Sequence, residues 1–540
     1  MNKIFFTLSF FTLFTINAQN PHFDISKQME IYNDMLKTLS TNYIDEINFG
    51  DMIQKSNTKM LNGLDRFTTY YDEEGILLQK MRQAGHYGGM GIAVNVKDSL
   101  ILITKIFKDT PAAKQGLQVG DKILAVEGKN IYELSRKVAS NLLRGEKGSS
   151  VELLIERNHK QITKNIERDE VPLNAVTATE LIGDIGHIRF VKFNQKASSQ
   201  TKKAILDLKA KGAKKIIIDL RGNPGGLLNE VVKIVNFFVP KGKVVVTTKG
   251  RFEKYNKTYS TKNESVDEEI PLVILVDNHS ASASEILSGS LQDYDRAVII
   301  GDTTYGKGLV QRTFKLKYGT YMKQTISKYY IPSGRLIQKI DYWHRDKTGK
   351  PMLMSDNLKE KDFKTANGRM VHNLGGVIPD IVIETETKES LIKYLIRKNI
   401  LFDFATWYYY NQPKPENADA FALKDLDFEL FVKYLQQHDI NPKSTTEIML
   451  TKAYEKAEKD NLDKSILAQY KKLLDTYTQA DEKVLRQHKA ELLDLISRDL
   501  VHRYFYIDGF TTYVLKNDKV VQKAIEVLNN PDEYKKILGK

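Results

Sequence analysis

The sequence predicts a multidomain α/β protein, with an α/β core, a β-rich segment inserted before it, and helical regions at both ends. Three observations predict this. From 169 to 397, apolar runs that fit buried strands alternate with amphipathic helices. From 86 to 168, short strand-like runs are punctuated by glycine at close intervals. Outside these two regions, apolar residues recur at spacings of three and four. At 540 residues the chain also exceeds what one hydrophobic core supports.

Residues 1–18 read as a signal peptide. Lys3 supplies a positive start, Ile4 to Ile16 is apolar and rich in Phe and Leu, and Ala18 suits the last position before cleavage. The apolar run is too short to span a bilayer comfortably, and no later segment reads as a membrane span. The mature chain is therefore expected to be an exported, soluble protein, periplasmic or associated with a membrane. Residues 19–85 form an expected helical domain, with Met29, Tyr32, Met35, Leu36 and Leu39 on one stripe and Ile53, Met60, Leu61 and Leu64 on another.

At Tyr87-Gly88-Gly89-Met90-Gly91-Ile92 the texture changes to strands through Val94 and Val96, then Leu100 to Phe107. Pro111-Ala112, Gly116-Leu117, Gly120-Asp121-Lys122-Ile123 and Gly128 follow, and Val151 to Ile155 is a further strand.

Past Val171-Pro172 the alternation begins. Asp184 to Phe190 reads as a strand. Lys196 to Lys211 reads as a helix with Ala204, Ile205 and Leu208 on one face. Lys215 to Leu220, Pro271 to Val276 and Ala297 to Ile300 are continuously apolar strands, which implies a sheet covered on both faces. Helices are expected from Leu227 to Phe238 and from the serine-rich turn to about Tyr294. Residues 398–540 read as a helical C-terminal domain, rich in Lys, Glu and Gln.

The net charge of +13 is spread along the chain and interleaved with acidic residues, which predicts a solvated surface rather than nucleic-acid binding. A weak attraction to anionic membrane surfaces and a homo-oligomer through the helical regions are further expectations. The absence of cysteine excludes disulfides, thiol nucleophiles, Cys-type zinc sites, iron–sulfur clusters and a lipid-modified cysteine. The ten histidines include no H-E-x-x-H pair, so no metal or other cofactor is expected.

Ligands of α/β sheets gather at the C-terminal ends of strands. Two turns there lead into helices, Gly222 to Gly226 and Asn278 to Ser284. A helix start offers free N–H groups that suit an oxyanion. By itself, Ser282-Ala283-Ser284-Glu285 is a capping box, sufficient to start a helix without catalysis. His279 shares the turn with the serines and reads as a partly exposed loop residue. The stretch Gly301 to Gly308 nearly matches a phosphate-binding loop, but Gly308 replaces its Ser or Thr and Leu309 to Leu316 alternates like a strand. Lys307, between two glycines, is then either a solvated turn residue or a buried base whose pKa desolvation lowers.

These segments together resemble the C-terminal processing, or tail-specific, proteases. The resemblance is carried by Asp219-Leu220-Arg221-Gly222-Asn223-Pro224-Gly225-Gly226, Ser280-Ala281-Ser282-Ala283-Ser284-Glu285-Ile286 and Gln292-Asp293. It extends to Gly306-Lys307-Gly308, Gln311, Tyr330-x-Pro332-Ser333-Gly334-Arg335 and Gly376-Val377-Ile378-Pro379-Asp380. It covers roughly Phe23 to Glu384 and implies a core (169–397) similar to the crotonase/ClpP-like fold. In that family the middle serine is the nucleophile, a lysine lies 25 residues on, and a glutamine four residues further orients it. The spacing here is the same, which implies Ser282, Lys307 and Gln311 in those roles. His279 stands where the family often has Gly or Asn, a mild departure. The oxyanion donors implied are the N–H of Ala283 and that of Gly225 or Gly226. Residues 86–168 resemble a PDZ domain with two helices, in which Gly89, Met90, Gly91 and Ile92 bind a terminal carboxylate. The expected activity is serine endopeptidase action near the C-termini of protein or peptide substrates. A catalytically inactive PDZ-containing peptide-binding protein is the alternative, and a nucleotide hydrolase a distant third.

Overall fold

The computed structural model describes residues 21–540 apart from 98–99, 134–137, 139–140, 358–360, 374, 385–389 and 419–420. The expected signal peptide, 1–18, lies outside the described residues. Among those described, no helix is long and apolar enough to cross a membrane. The chain divides at Tyr70 into two compact units.

The first unit contains the helices Pro21–Asn42 and Phe49–Asn62, which carry the two apolar stripes read from the sequence except Leu64, which lies past the end of the second helix. Asn48 starts the second helix by accepting the Asp51 N–H at 3.0 Å. The second unit opens with the helix Glu73–Ala84. It is capped by Asp72 and closed by Gly85, whose φ of 81° places it in the left-handed region.

Strands His86–Gly89 and Asp169–Pro172 pair antiparallel, so the chain enters and leaves the inserted segment side by side. Between them lies a six-stranded antiparallel sheet that includes Ile92–Lys97, Leu100–Ile106, Lys122–Val126, Ser150–Arg157 and Lys160–Glu167. Its described residues contain the short helix Pro111–Lys114 and a 3-10 turn, Ile131–Glu133. Ile101, Ile103, Ile123, Val151, Leu153 and Ile155 fill its core. Buried Asp121 pins the turn at 118–121 by accepting the Gln118 N–H at 2.8 Å and two Arg157 bonds at 2.7 Å.

The core sheet has the order Val176–Ile182, Ile185–Phe190, Lys215–Asp219, Leu272–Val276, Val298–Gly301, Ile381–Val382. Its first pair is antiparallel and the rest are parallel. Side chains alternate between faces, which explains the unbroken apolar strands. Ile216, Ile218, Leu272, Ile274 and Ile299 face the helices Ala197–Ala210, Leu228–Val235 and Ala283–Asp293. Ile217, Val273, Leu275, Val298 and Ile300 face the opposite way, against Leu515, Val521, Ala524, Val527, Leu528 and Leu538. The helix Lys519–Asn529 therefore covers the sheet's second face, a partner the local sequence of those strands does not reveal. Earlier in the C-terminal region, an aromatic cluster around Phe404, Trp407, Phe431 and Tyr434 packs separate helices together.

A second sheet holds Val244–Lys249, Lys257–Ser260 and the antiparallel pair Leu309–Lys315 and Tyr321–Tyr330. The residues after Gly308 thus continue as a strand, not as the helix a phosphate-binding loop requires.

Candidate active site

Two adjacent strands, Lys215–Asp219 and Leu272–Val276, send their C-terminal loops to one place. The second loop ends at Ser282, the N-cap of the helix Ala283–Asp293, every residue of which is buried. Ser282 has φ 57° and ψ −111°, a conformation that costs an L-residue energy and that needs surrounding support. The support comes from the first loop. At Gly225, φ is 90°, and a Cβ there would lie 2.5 Å from the Ala281 carbonyl oxygen and 2.7 Å from the Ala283 nitrogen. Only glycine permits this approach. Asn223 ties the loops together. Its carbonyl accepts the Ala281 N–H at 3.0 Å and the Ser284 hydroxyl at 2.9 Å. Its side chain accepts the Gly225 N–H and donates to the Phe190 carbonyl, both at 2.9 Å.

The Gly225 N–H is therefore already engaged. The Gly226 N–H has no acceptor among the described residues: the parallel bridge to Phe193 uses the Gly225 carbonyl and the Leu227 N–H instead. The Ala283 N–H, at the first turn of its helix, likewise has no acceptor among the described residues. Two unused N–H donors thus flank the turn that carries the Ser282 hydroxyl.

Lys307 reaches this turn through Glu285. The Glu285 carboxylate is fully buried and accepts four hydrogen bonds. The donors are the Ser282 N–H at 2.7 Å, the Lys307 N–H at 2.9 Å, the Gly306 N–H at 2.6 Å and the Thr304 hydroxyl at 2.7 Å. Its bond to the Ser282 N–H is one arm of the capping box, so the helix cap and the candidate catalytic turn are a single construction. Burial pushes the Glu285 carboxyl up to about 7, while the four donors pull against that rise. On the other side, the Tyr329 hydroxyl donates to the Lys307 carbonyl at 2.5 Å and approaches the Ser282 carbonyl at 3.2 Å. The backbones of Ser282 and Lys307 are thus held from two directions by the same two side chains.

Gln311 sits where the strand Leu309–Lys315 has a register shift, between Val310 and Gln311. Its amide donates to the Thr325 hydroxyl across the strand pair at 3.3 Å. His279 stands in solvent with 77% of its side chain exposed, near Asp277 and away from the buried helix start. Neither Glu285 nor Tyr329 was singled out as a functional residue by the sequence, beyond the reading of Glu285 as a helix cap. The motifs Gln292-Asp293, Ser333-Gly334-Arg335 and Pro379-Asp380 converge on a buried ionic cluster behind the site. Arg335 pairs with Asp293 at 2.9 Å and reaches Gln292 at 2.7 Å. Asp380 takes the Ile299 N–H at 2.8 Å and pairs with Arg369 at 2.6 Å.

In the inserted segment, the turn Gly89–Ile92 borders a cavity of about 250 Å³, lined in part by Met90, Ile92, Val94, Phe107 and Leu143. Gly91 has φ 79°, and a Cβ there would fall 2.3 Å from Thr110. Gly89 pairs with Asp169 at the end of its strand, and Met90 is buried with its carbonyl taking the Ala112 N–H at 2.9 Å.

A family model described as peptidase family S41 matches residues 184–342, and one described as PDZ domain matches 88–167. A third, the C-terminal helical domain of a probable PDZ-protease, matches 391–528. The carboxy-terminal-processing protease of Bartonella bacilliformis is 35% identical over 332 residues, 60% of this chain and 75% of that protein. The carboxy-terminal processing protease of Bacillus subtilis is 31% identical over 309 residues, 57% of this chain and 66% of that protein. Among solved structures, the photosystem II D1 C-terminal processing protease is 24% identical, covering 65% of this chain and 86% of that one with a TM-score of 0.36.

Proposed function

Since this chain belongs to the C-terminal processing serine protease family with a PDZ domain, we propose that it is an exported endopeptidase that cleaves polypeptides near their C-termini, with Ser282 as nucleophile and Lys307 as base. The observation that carries the reading is the joint clamping of the Ser282 turn and the Lys307 loop by Glu285 and Tyr329, beside two unused N–H donors. Export and a periplasmic or membrane-associated location rest on the Lys3 to Ala18 pattern. The likeness of the core to the crotonase/ClpP-like fold is part of the same proposal.

In this reading the neutral Lys307 amine takes the Ser282 hydroxyl proton as the oxygen attacks the scissile carbonyl. The oxyanion accepts hydrogen bonds from the Ala283 and Gly226 N–H groups. Collapse of this intermediate expels the leaving amine, which receives the proton from Lys307. A water molecule, deprotonated by Lys307, then attacks the acyl carbonyl, and the departing Ser282 oxygen takes that proton back from Lys307, which restores the hydroxyl and the neutral amine. Gln311 orients the lysine, and the segment around Gly89–Ile92 holds the substrate's terminal carboxylate. Homo-oligomerisation through the helical regions and peripheral membrane contact belong to this proposal as well.

The test is incubation of the purified protein with a labelled unfolded polypeptide, alongside Ser282→Ala and Lys307→Ala. Cleavage by the wild type and near-complete loss in both variants support the reading. Persistent cleavage by Ser282→Ala refutes the nucleophile. No cleavage by the wild type, with retained peptide binding, favours the peptide-binding alternative.

A further inference from the structure

Arg221 stands two residues past the strand Lys215–Asp219 and opens the loop that ends at Gly226. Its guanidinium is engaged on two sides. Nε and Nη2 donate to the two oxygens of Asp219, at 3.0 and 2.8 Å. Nη1 donates to both oxygens of Asp518, at 2.9 and 2.8 Å. Asp518 lies almost 300 residues along the chain, at the start of the helix Lys519–Asn529 that covers the sheet's second face. The same carboxylate caps that helix by accepting the Val520 N–H at 2.9 Å and the Val521 N–H at 3.2 Å.

The surroundings make this bond more than a surface ion pair. The side chains of Arg221 and Asp518 are only 16% and 12% exposed. Asp219 is buried and already paired with Arg189 at 2.8 Å. Two guanidiniums therefore share one buried carboxylate, and Asp518 supplies the second negative charge that balances them. Burial alone would pull the Arg221 guanidinium down, and the Asp219 and Asp518 carboxylates reverse this and hold it above its ordinary value. Without Asp518 a buried cation is left in excess, and such a group moves toward water. The Asp219 carboxylate that pairs with the Arg221 guanidinium also accepts the Arg221 backbone N–H at 3.0 Å, so the first peptide of the loop is tied to the same charge cluster, and the next N–H, of Gly222, is held by Asp277 at 2.9 Å.

We propose that Asp518 is a positioning residue for the loop Gly222–Gly226, so that the helix Lys519–Asn529 helps to set the rate of the chemical step. The proposal rests on the serine-protease reading above. An oxyanion donor must sit within a few tenths of an ångström of its place, and a displacement of 1 Å costs on the order of 100-fold in rate. The C-terminal helical region thereby acts on catalysis without touching the substrate.

The experiment compares wild type with Asp518→Asn, Asp518→Ser and Asp518→Glu. Asn and Ser both cap helices well, so the helix start survives in each. Two readouts are taken: kcat and KM for cleavage of a labelled unfolded polypeptide, and hydrogen–deuterium exchange over residues 222–227. Asp518→Ser is expected to lower kcat by roughly 10-fold or more, less than the ~100–1,000-fold loss of a whole oxyanion donor, with KM little changed. Asp518→Asn, which keeps one acceptor, should fall between, and Asp518→Glu should recover most of the rate. Exchange over 222–227 should quicken in the same order. Unchanged exchange in Asp518→Ser overturns the inference whatever the activity, and so does a change confined to KM. If the wild type cleaves nothing while exchange still quickens, the protease reading fails and the brace stands.

Discussion

The Glu285 carboxylate oxygen that accepts the Lys307 N–H at 2.9 Å also accepts the Ser282 N–H at 2.7 Å. Its other oxygen takes the Gly306 N–H and the Thr304 hydroxyl. Removing it leaves several buried donors unpaired, at roughly 1–3 kcal/mol each before relaxation and the relief of burying a charge. Glu285→Ala is therefore expected to lose about 3 kcal/mol of stability by urea unfolding and nearly all cleavage of an unfolded polypeptide. Glu285→Gln should fare little better, because its amide NH2 faces other donors. A stable, fully active Glu285→Ala protein would show that the clamp is dispensable.

The same carboxyl gives a pH dependence with a definite sign. Its folded pKa, about 7, lies above its ordinary value of 4.5. The group therefore contributes stability fully below about pH 4.5, and that contribution is lost as pH rises through about 7. His502 slopes the other way, since burial holds it near 4 and its contribution is lost as pH falls from 6.5 through 4. The informative quantity is the difference between wild type and Glu285→Gln. The variant's penalty should grow smaller as pH rises from 5 to 8, and a penalty that grows over that range contradicts the assignment.

Two glycines in one loop should respond very differently to alanine. Gly222 has φ 72°, and an added Cβ would meet nothing closer than Arg189 at 3.9 Å. Gly222→Ala should cost only the left-handed backbone, about 1–2 kcal/mol, and keep most activity. Gly225→Ala places its Cβ 2.5 Å from the Ala281 carbonyl and 3.0 Å from the Ser282 Cβ. The candidate nucleophile must shift, and kcat should drop on the order of 100-fold or more. Equal kcat losses in the two variants would argue against a close fit between the loops.

What the sequence disclosed follows from the range of the interactions involved. The strands around Ile217 and Ile274 were legible because burial on both faces leaves an unbroken apolar run. That Val521 and Val527 supply one of those faces was not, since an amphipathic stripe does not name its partner. Ser282 and Lys307 were picked out by motif and spacing, through the family resemblance. Glu285 read locally as a helix cap, which it is, but its bonds to Thr304, Gly306 and Lys307 join segments about 20 residues apart. Tyr329 gave no signal, because one tyrosine on a strand looks like any other until its hydroxyl is seen to meet two carbonyls. The choice between Gly225 and Gly226 as a donor likewise depended on the Asn223 side chain.

The cavity beside Gly89–Ile92 leads to a prediction about which ends of substrates are read. Its walls include Met90, Ile92, Val94, Phe107 and Leu143, which suit an apolar terminal side chain. The turn itself is backbone-rich, with Gly91 pressed against Thr110, so recognition of a carboxylate there would use N–H groups. A peptide ending in apolar residues should therefore be cleaved faster as the free acid than as the C-terminal amide, which removes the charge while leaving the side chains and the enzyme intact. The difference should appear mainly in KM and shrink at saturating peptide, because the cavity, walled by the inserted segment together with Leu78, Met81, Arg82 and Leu173, includes neither Ser282 nor Lys307 in its lining. Replacing Gly91 by Ala forces a Cβ to within 2.3 Å of Thr110 and distorts the turn, so this variant should lose the preference while still cleaving an amidated peptide at the wild-type rate. Equal cleavage of acid and amide by the wild type across a range of concentrations would remove tail recognition and leave the Ser282 and Lys307 chemistry untouched.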